Sequence, residues 1–110
     1  MSAILWRLGR LIMKIVKPAS AGTLESSDIQ IRVEPAEQPG IEVHLTSSVK
    51  QQFGKKIIQV IRDTLEEIGV EDAYVEAVDK GALDCAVRAR TAAAAFRAAD
   101  NTDYEWRVRS

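Results

Sequence analysis

The spacing of apolar residues changes midway along this chain, and that change limits the folds open to it. In DIQIRVEP, Ile29, Ile31 and Val33 alternate with Gln30, Arg32 and Glu34. After the loop AEQPG a second alternation sets Ile41, Val43 and Leu45 against Glu42 and His44. Period two marks a strand with one buried face. Two such strands flanking a short Pro/Gly loop read as an antiparallel hairpin. The spacing then becomes helical: Val49, Phe53, Ile57, Val60, Ile61, Leu65 and Ile68 form one apolar stripe. Ser48 and Gln51 stand at capping-box spacing ahead of it, and Gly69 supplies the stop. Gly54 inside the stripe costs about 1 kcal/mol relative to alanine, which the long stripe can offset.

The second half is read the same way. Asp79-Lys80-Gly81 has turn character, and Leu83, Cys85, Val87 and Ala89 alternate with Asp84, Arg88 and Arg90. A second hairpin is therefore expected, with a helix as the alternative that the alanines keep open. Thr91 can cap a short final helix over TAAAAFRAA. Pro18 to Ser27 reads as a loop or irregular arm, and the tail DNTDYEWRVRS carries no assignment. The expected fold class is α+β: a two-layer sandwich in β-β-α-β-β-α order. Its four-stranded, mostly antiparallel sheet carries two helices on one face.

Composition excludes several functions. At 110 residues the chain has room for one domain and one modest core. A formal net charge of −1 gives no global attraction to nucleic acid. Cys85 is the only cysteine, so no internal disulfide framework exists and a reducing, cytoplasmic setting is expected. His44 is the only histidine, so a His-cluster metal site is excluded and no metal is expected. No run of about 18 apolar residues is present, and membrane association is not expected.

Residues 1–17 differ from the rest. Arg7, Arg10, Lys14 and Lys17 recur at helical spacing beside Ile4, Leu8, Leu11 and Ile15, with no acid among them. This could be a basic amphipathic helix resting on an anionic membrane or a partner. The reading favoured over it is a natural start at Met13. The expected organisation is an N-terminal extension over 1–12, a single folded domain over 13–99 and a C-terminal tail over 100–110.

No catalytic constellation emerges from the side chains. Glu66 and Glu67 are adjacent on one helix and point to different parts of its surface, so they cannot readily share a reacting centre. His44 falls on the polar side of its strand, and Cys85 on the expected inward face of another, as a small buried thiol. No Gly-rich phosphate loop opens a helix. A carrier needs less: one hydroxyl on an exposed, mobile segment. GTLESSD offers Ser26 and Ser27 there, kept wet by Glu25 and Asp28. From chemistry alone, a simple turn into the strand is the stronger reading of these residues.

The run MKIVKPASAGTLESSDIQIRVEP from Met13, together with IEVHLTSSVKQQFG, TLEEIGV and DKGALDCAVRAR, resembles the citrate lyase acyl carrier (gamma) subunit family in order and spacing. The similarity covers roughly residues 13 to 98; residues before Met13 and the end DYEWRVRS depart from the family pattern. The resemblance implies a non-catalytic carrier. Its GTLES serine, Ser26, would be joined by a phosphodiester to 2'-(5''-phosphoribosyl)-3'-dephospho-CoA, a CoA-derived arm ending in a thiol. The arm would carry acetyl and citryl thioesters between the alpha subunit, which exchanges acyl groups, and the beta subunit, which cleaves the citryl group to oxaloacetate. A prosthetic-group transferase and an acetate-activating ligase are the other implied partners. Arg88 and Arg90, on one face of the expected strand, could meet the arm's phosphates or a partner's acidic patch. The alternative is an ordinary solvated face. Two other readings stand beside this one: a malonate decarboxylase carrier, and a non-covalent structural or binding module that works through its basic N-terminus.

Overall fold

The computed structural model describes residues 12–47 and 51–99. The alternative of an amphipathic helix over residues 1–17 lies outside these residues up to Leu11, and residues 12–17 are not helical, Met13 bridging to Val70. The Ser48 cap, Val49 and the C-terminal tail also lie outside the described residues. The described chain forms β1 (Ala19–Ala21), β2 (Ile29–Glu34), β3 (Ile41–Ser47), α1 (Gln51–Glu67), β4 (Ala73–Asp79) and α2 (Asp84–Ala99). The four strands make one sheet in the order β1-β2-β4-β3.

The α+β class, the four-stranded sheet and the two helices agree with expectation, but the order of elements does not. The first correction concerns β2 and β3, which do not form a hairpin. β4 lies between them, antiparallel to β2 from Ile29↔Asp79 to Glu34↔Tyr74 and parallel to β3 from Ile41↔Ala73 to Ser47↔Asp79. The strand pair is thus closed by a β3-α1-β4 crossover, which a parallel pairing requires. Ala73, Val75 and Ala77 explain β4's central place: all are almost fully buried on the helix side of the sheet.

The second correction is the segment from Leu83, which is helix rather than strand. Alternation there is accidental. Val87, Thr91, Ala94, Ala95 and Ala98 recur every three or four residues and are buried, whereas Leu83 and Cys85 are exposed. Thr91 consequently sits mid-helix and does not cap it. The missing strand is β1, within the segment expected to be an irregular arm; Ala19 pairs with Val33 and Ala21 with Ile31 in an antiparallel hairpin. Three residues with two alanines give no periodic signal. Tertiary bonds hold them: Arg97 Nη1 donates to Ser20 O at 2.8 Å, and the amides of Val16 and Lys17 donate to Ala98 O at 3.0 and 3.1 Å.

Both helices cover one face. Ile29, Ile31 and Val33 of β2 meet Ile61 and Leu65 of α1 and the alanine face of α2 in a single core. Small side chains let α2 approach β1 and β2 closely, while α1 lies nearer β3. Gly69 ends α1 as its spacing predicts. The Val70 amide donates to Leu65 O at 2.9 Å and the Gly69 amide to Glu66 O at 3.1 Å, with Gly69 at φ 95°. This is the Schellman arrangement, whose positive φ glycine tolerates best. Met13 joins the same end through its amide to Gly69 O at 2.9 Å.

Candidate functional site

The tip of the β1–β2 hairpin, Gly22 to Asp28, carries Ser26. The loop is not an extended arm. Glu25 to Asp28 form a β-turn in which the Asp28 amide donates to Glu25 O at 3.2 Å. Ser27 takes φ 66° at the third position, as in a type II turn. The turn reading of these serines and the exposure a carrier needs therefore hold together. Ser26 occupies an exposed corner, and among the described residues no partner takes up its hydroxyl.

Asp28 organises the loop. One carboxylate oxygen, Oδ2, accepts from Thr23 Oγ1 at 2.7 Å and from the Thr23 amide at 3.1 Å. The other, Oδ1, accepts from the Ile29 amide at 2.7 Å. Arg90, from the second turn of α2, donates Nε to Oδ1 and Nη2 to Oδ2, both at 3.1 Å, which is the two-pronged geometry a guanidinium favours. The Thr23 hydroxyl above all, then Arg90 and the Ile29 amide, holds the Asp28 carboxyl well below the usual carboxylate range.

The turn after β4 clamps the loop from the other side. The Ser27 amide donates to Lys80 O at 2.8 Å, and the Lys80 amide donates to Asp28 O at 2.9 Å. Asp79, nearly fully buried, fixes that turn by accepting from the Ala82 amide at 3.0 Å and from Ser47 Oγ at 3.1 Å. Gly22 is required at the loop's entry. It has φ 93°, and a Cβ there would lie 1.9 Å from Ile29 O. The two sequence runs GTLESSD and DKGALDC thus meet in space. Their contact passes mainly through backbone atoms, which side-chain patterns do not reveal.

The remaining residues singled out from sequence are scattered. Arg88 does not share a face with Arg90. It lies on the other side of α2, where Nη1 donates to Glu67 Oε1 of α1 at 2.8 Å. Cys85 is exposed in the first turn of α2 rather than buried in a strand. His44 lies on the open sheet face as expected, bonded to Glu42 and 5.1 Å from the Tyr74 ring. An open depression of about 470 Å³ between Pro35, Gly40 and Tyr74 lies at the opposite end of the sheet from Ser26. Among the described residues no His, Cys, Asp and Glu side chains gather as a metal site. None of their helices is long and apolar enough to cross a membrane.

Residues 16–98 match the family profile described as ACP, malonate decarboxylase delta subunit (MdcD). The fold is similar to a chain in the crystal structure of a Pseudomonas malonate decarboxylase hetero-tetramer in complex with malonate. The TM-score is 0.64 at 19% identity, covering 80% of this chain and 90% of that one. The family match over this fold places the chain in a class of small α+β acyl carriers, which are non-catalytic subunits. Over 94 residues the chain is 58% identical to citrate lyase acyl carrier protein 2 of Salmonella typhimurium (strain LT2), covering 86% of this chain and 97% of that protein. It is 54% identical over 94 residues to the citrate lyase acyl carrier protein of Lacticaseibacillus casei (strain BL23), covering 86% of this chain and 92% of that protein. The chain belongs to the citrate lyase acyl carrier protein family. Carriers of this family bear a prosthetic group and work as parts of multi-subunit complexes.

Proposed function

We propose that this chain is the acyl carrier subunit of a citrate lyase and that Ser26 is its attachment residue. The observation that carries the reading is the setting of Ser26: an exposed hydroxyl without a competing partner, on a turn clamped by Asp28, Arg90 and Lys80. These residues fit a phosphodiester. The Ser26 Oγ faces solvent, and the clamp beneath it uses backbone atoms and Asp28, leaving that oxygen available. Phosphoribosyl-dephospho-CoA is the group proposed, and it supplies the thiol that bears the acyl cargo.

The chain's own residues hold the point of attachment still. Asp28 and Lys80 fix both sides of the turn, so the reach belongs to the arm and the origin to the protein. A fixed origin keeps the tethered cargo at high effective concentration around both catalytic subunits. The proposed partners are the alpha and beta subunits of citrate lyase, the transferase that loads Ser26 and the ligase that acetylates the arm, all in the cytoplasm. Residues 13–99 are proposed as the carrier unit, consistent with Met13 and Ile15 being in the core. The role kept for Arg90 is holding the serine loop through Asp28. Arg88, exposed beside Glu67, is the one proposed to meet a partner.

The test is reconstitution of the lyase from its three subunits with loaded carrier. Ser26→Ala should abolish citrate cleavage while the variant keeps the wild-type unfolding midpoint. Ser27→Ala should remain active. Activity retained by Ser26→Ala would overturn the assignment.

A further inference from the structure

β3 closes one side of the sheet, and among the described residues nothing pairs with its outer edge. Its backbone phase is fixed by one bond. The Ala73 amide donates to Gly40 O at 3.1 Å, with Ile41 opposite Ala73 in a parallel register. In a parallel ladder the groups facing the neighbour alternate along the strand. Glu42, His44 and Thr46 therefore turn their backbone N–H and C=O toward β4. Ile41, Val43 and Leu45 turn theirs outward.

The side chains carry a matching pattern. Ile41-Glu42-Val43-His44-Leu45 is symmetric about Val43, apolar on the core side and oppositely matched in hydrogen-bonding character at Glu42 and His44 on the open side. Glu42 and His44 are 65% and 55% exposed, so each can meet a second partner beyond its neighbour in the strand. Ile41, Val43 and Leu45 pack against the core but remain only partly buried, as though the apolar layer were cut off at this edge.

We infer that β3 pairs with β3 of a second copy, antiparallel about a two-fold axis through Val43, making one continuous sheet. Two independent features select this register. The outward backbone groups at Ile41, Val43 and Leu45 become the hydrogen-bonded pairs: Val43 with Val43, and Ile41 with Leu45 of the second copy. Glu42 then falls opposite His44 of the second copy at a non-hydrogen-bonded position, where cross-strand side chains come closest. Moving the axis by half a residue would set outward-facing backbone groups against inward-facing ones, and moving it by a whole residue would set Glu42 against Glu42 or His44 against His44 and lose the carboxylate–imidazole match. The contact is isologous, so the same patch serves both copies. The serine loop lies toward the other side of the sheet, beyond β4 and β2, and stays open in the pair.

The experiment is sedimentation velocity on the full 110-residue chain from about 1 μM to about 1 mM, a range that spans ordinary dimer affinities. A concentration-dependent dimer is expected. His44→Glu sets carboxylates against each other, and Glu42→His sets imidazoles against each other; each alone should weaken dimerisation about tenfold. An equal mixture of these two variants should recover wild-type association, because each supplies what the other lacks. Repair within one chain cannot produce that recovery. Val43→Pro removes the outward amide at the axis and leaves the β4 ladder intact, so a folded monomer is expected. A wild-type chain that stays monomeric at about 1 mM would overturn the proposal. So would a dimer indifferent to the single charge variants, or no recovery on mixing.

Discussion

Asp28 shows how one side chain can set the geometry of its neighbour. It gathers the Thr23 hydroxyl, the Ile29 amide and the Arg90 guanidinium, and the turn bearing Ser26 is stretched across that junction. Its folded-state pKa lies well below the ordinary aspartate value of 3.8. The carboxylate's contribution is therefore complete above that value and is lost as pH falls below it toward the folded pKa. Chemical unfolding at pH 7 and pH 3 checks this. Wild type should lose more stability on acidification than Asp28→Asn, which has no carboxylate to protonate at that site. Amide exchange at Ser27 should also quicken in Asp28→Asn at pH 7. Gly22→Ala meets a harder obstacle, because Ile29 O occupies the space of the new Cβ. A loss of at least about 2 kcal/mol is expected, read from the urea midpoint, since both the positive φ and the clash oppose it.

Among the secondary elements, the two helices invite opposite kinds of repair. An alanine Cβ at Gly54 would make ordinary contact with Leu45 Cδ2 at 3.5 Å, so Gly54→Ala should raise stability by up to about 1 kcal/mol. In α2 the buried Thr91 hydroxyl has no hydrogen-bond partner among the described residues, and Thr91→Val should gain about 1 kcal/mol by removing it. Thermal unfolding of the two variants separately and together would check both, and an additive gain would show that the two sites act independently. The same elements show what patterns can convey. β2, β3 and α1 were legible because their apolar residues keep one period over several repeats. The first half of α2 reads as a strand because Leu83, Cys85, Val87 and Ala89 alternate by chance, whereas the alanines of TAAAAFRAA correctly mark its second half as helix. β1 gave no signal at all, since three small residues are held by Arg97 and by pairing with β2. The serine loop was found through its resemblance to a family motif. Its clamp was not, because Lys80 acts through its backbone and Asp28 looked like a solvating residue.

At the scale of the whole molecule, the fold brings together two runs that lie far apart in the chain. β4 lies between β2 and β3, so its C-terminal turn arrives beside the start of β2, and Lys80 meets Ser27 and Asp28 there. The result is a clamped turn that exposes Ser26, with Ser27 beside it, at the tip of a hairpin, which suits attachment of a long arm better than chemistry by the protein itself. The central claim is that the Ser26 hydroxyl, and not that of Ser27, takes the arm. Intact mass and peptide mapping should be carried out on carrier purified from cells holding the complete lyase and transferase set. An added mass equal to phosphoribosyl-dephospho-CoA, located on Ser26, kept in Ser27→Ala and absent from Ser26→Ala, is the predicted result. Unmodified wild-type carrier beside an active transferase and lyase, or an arm found on Ser27, would contradict it.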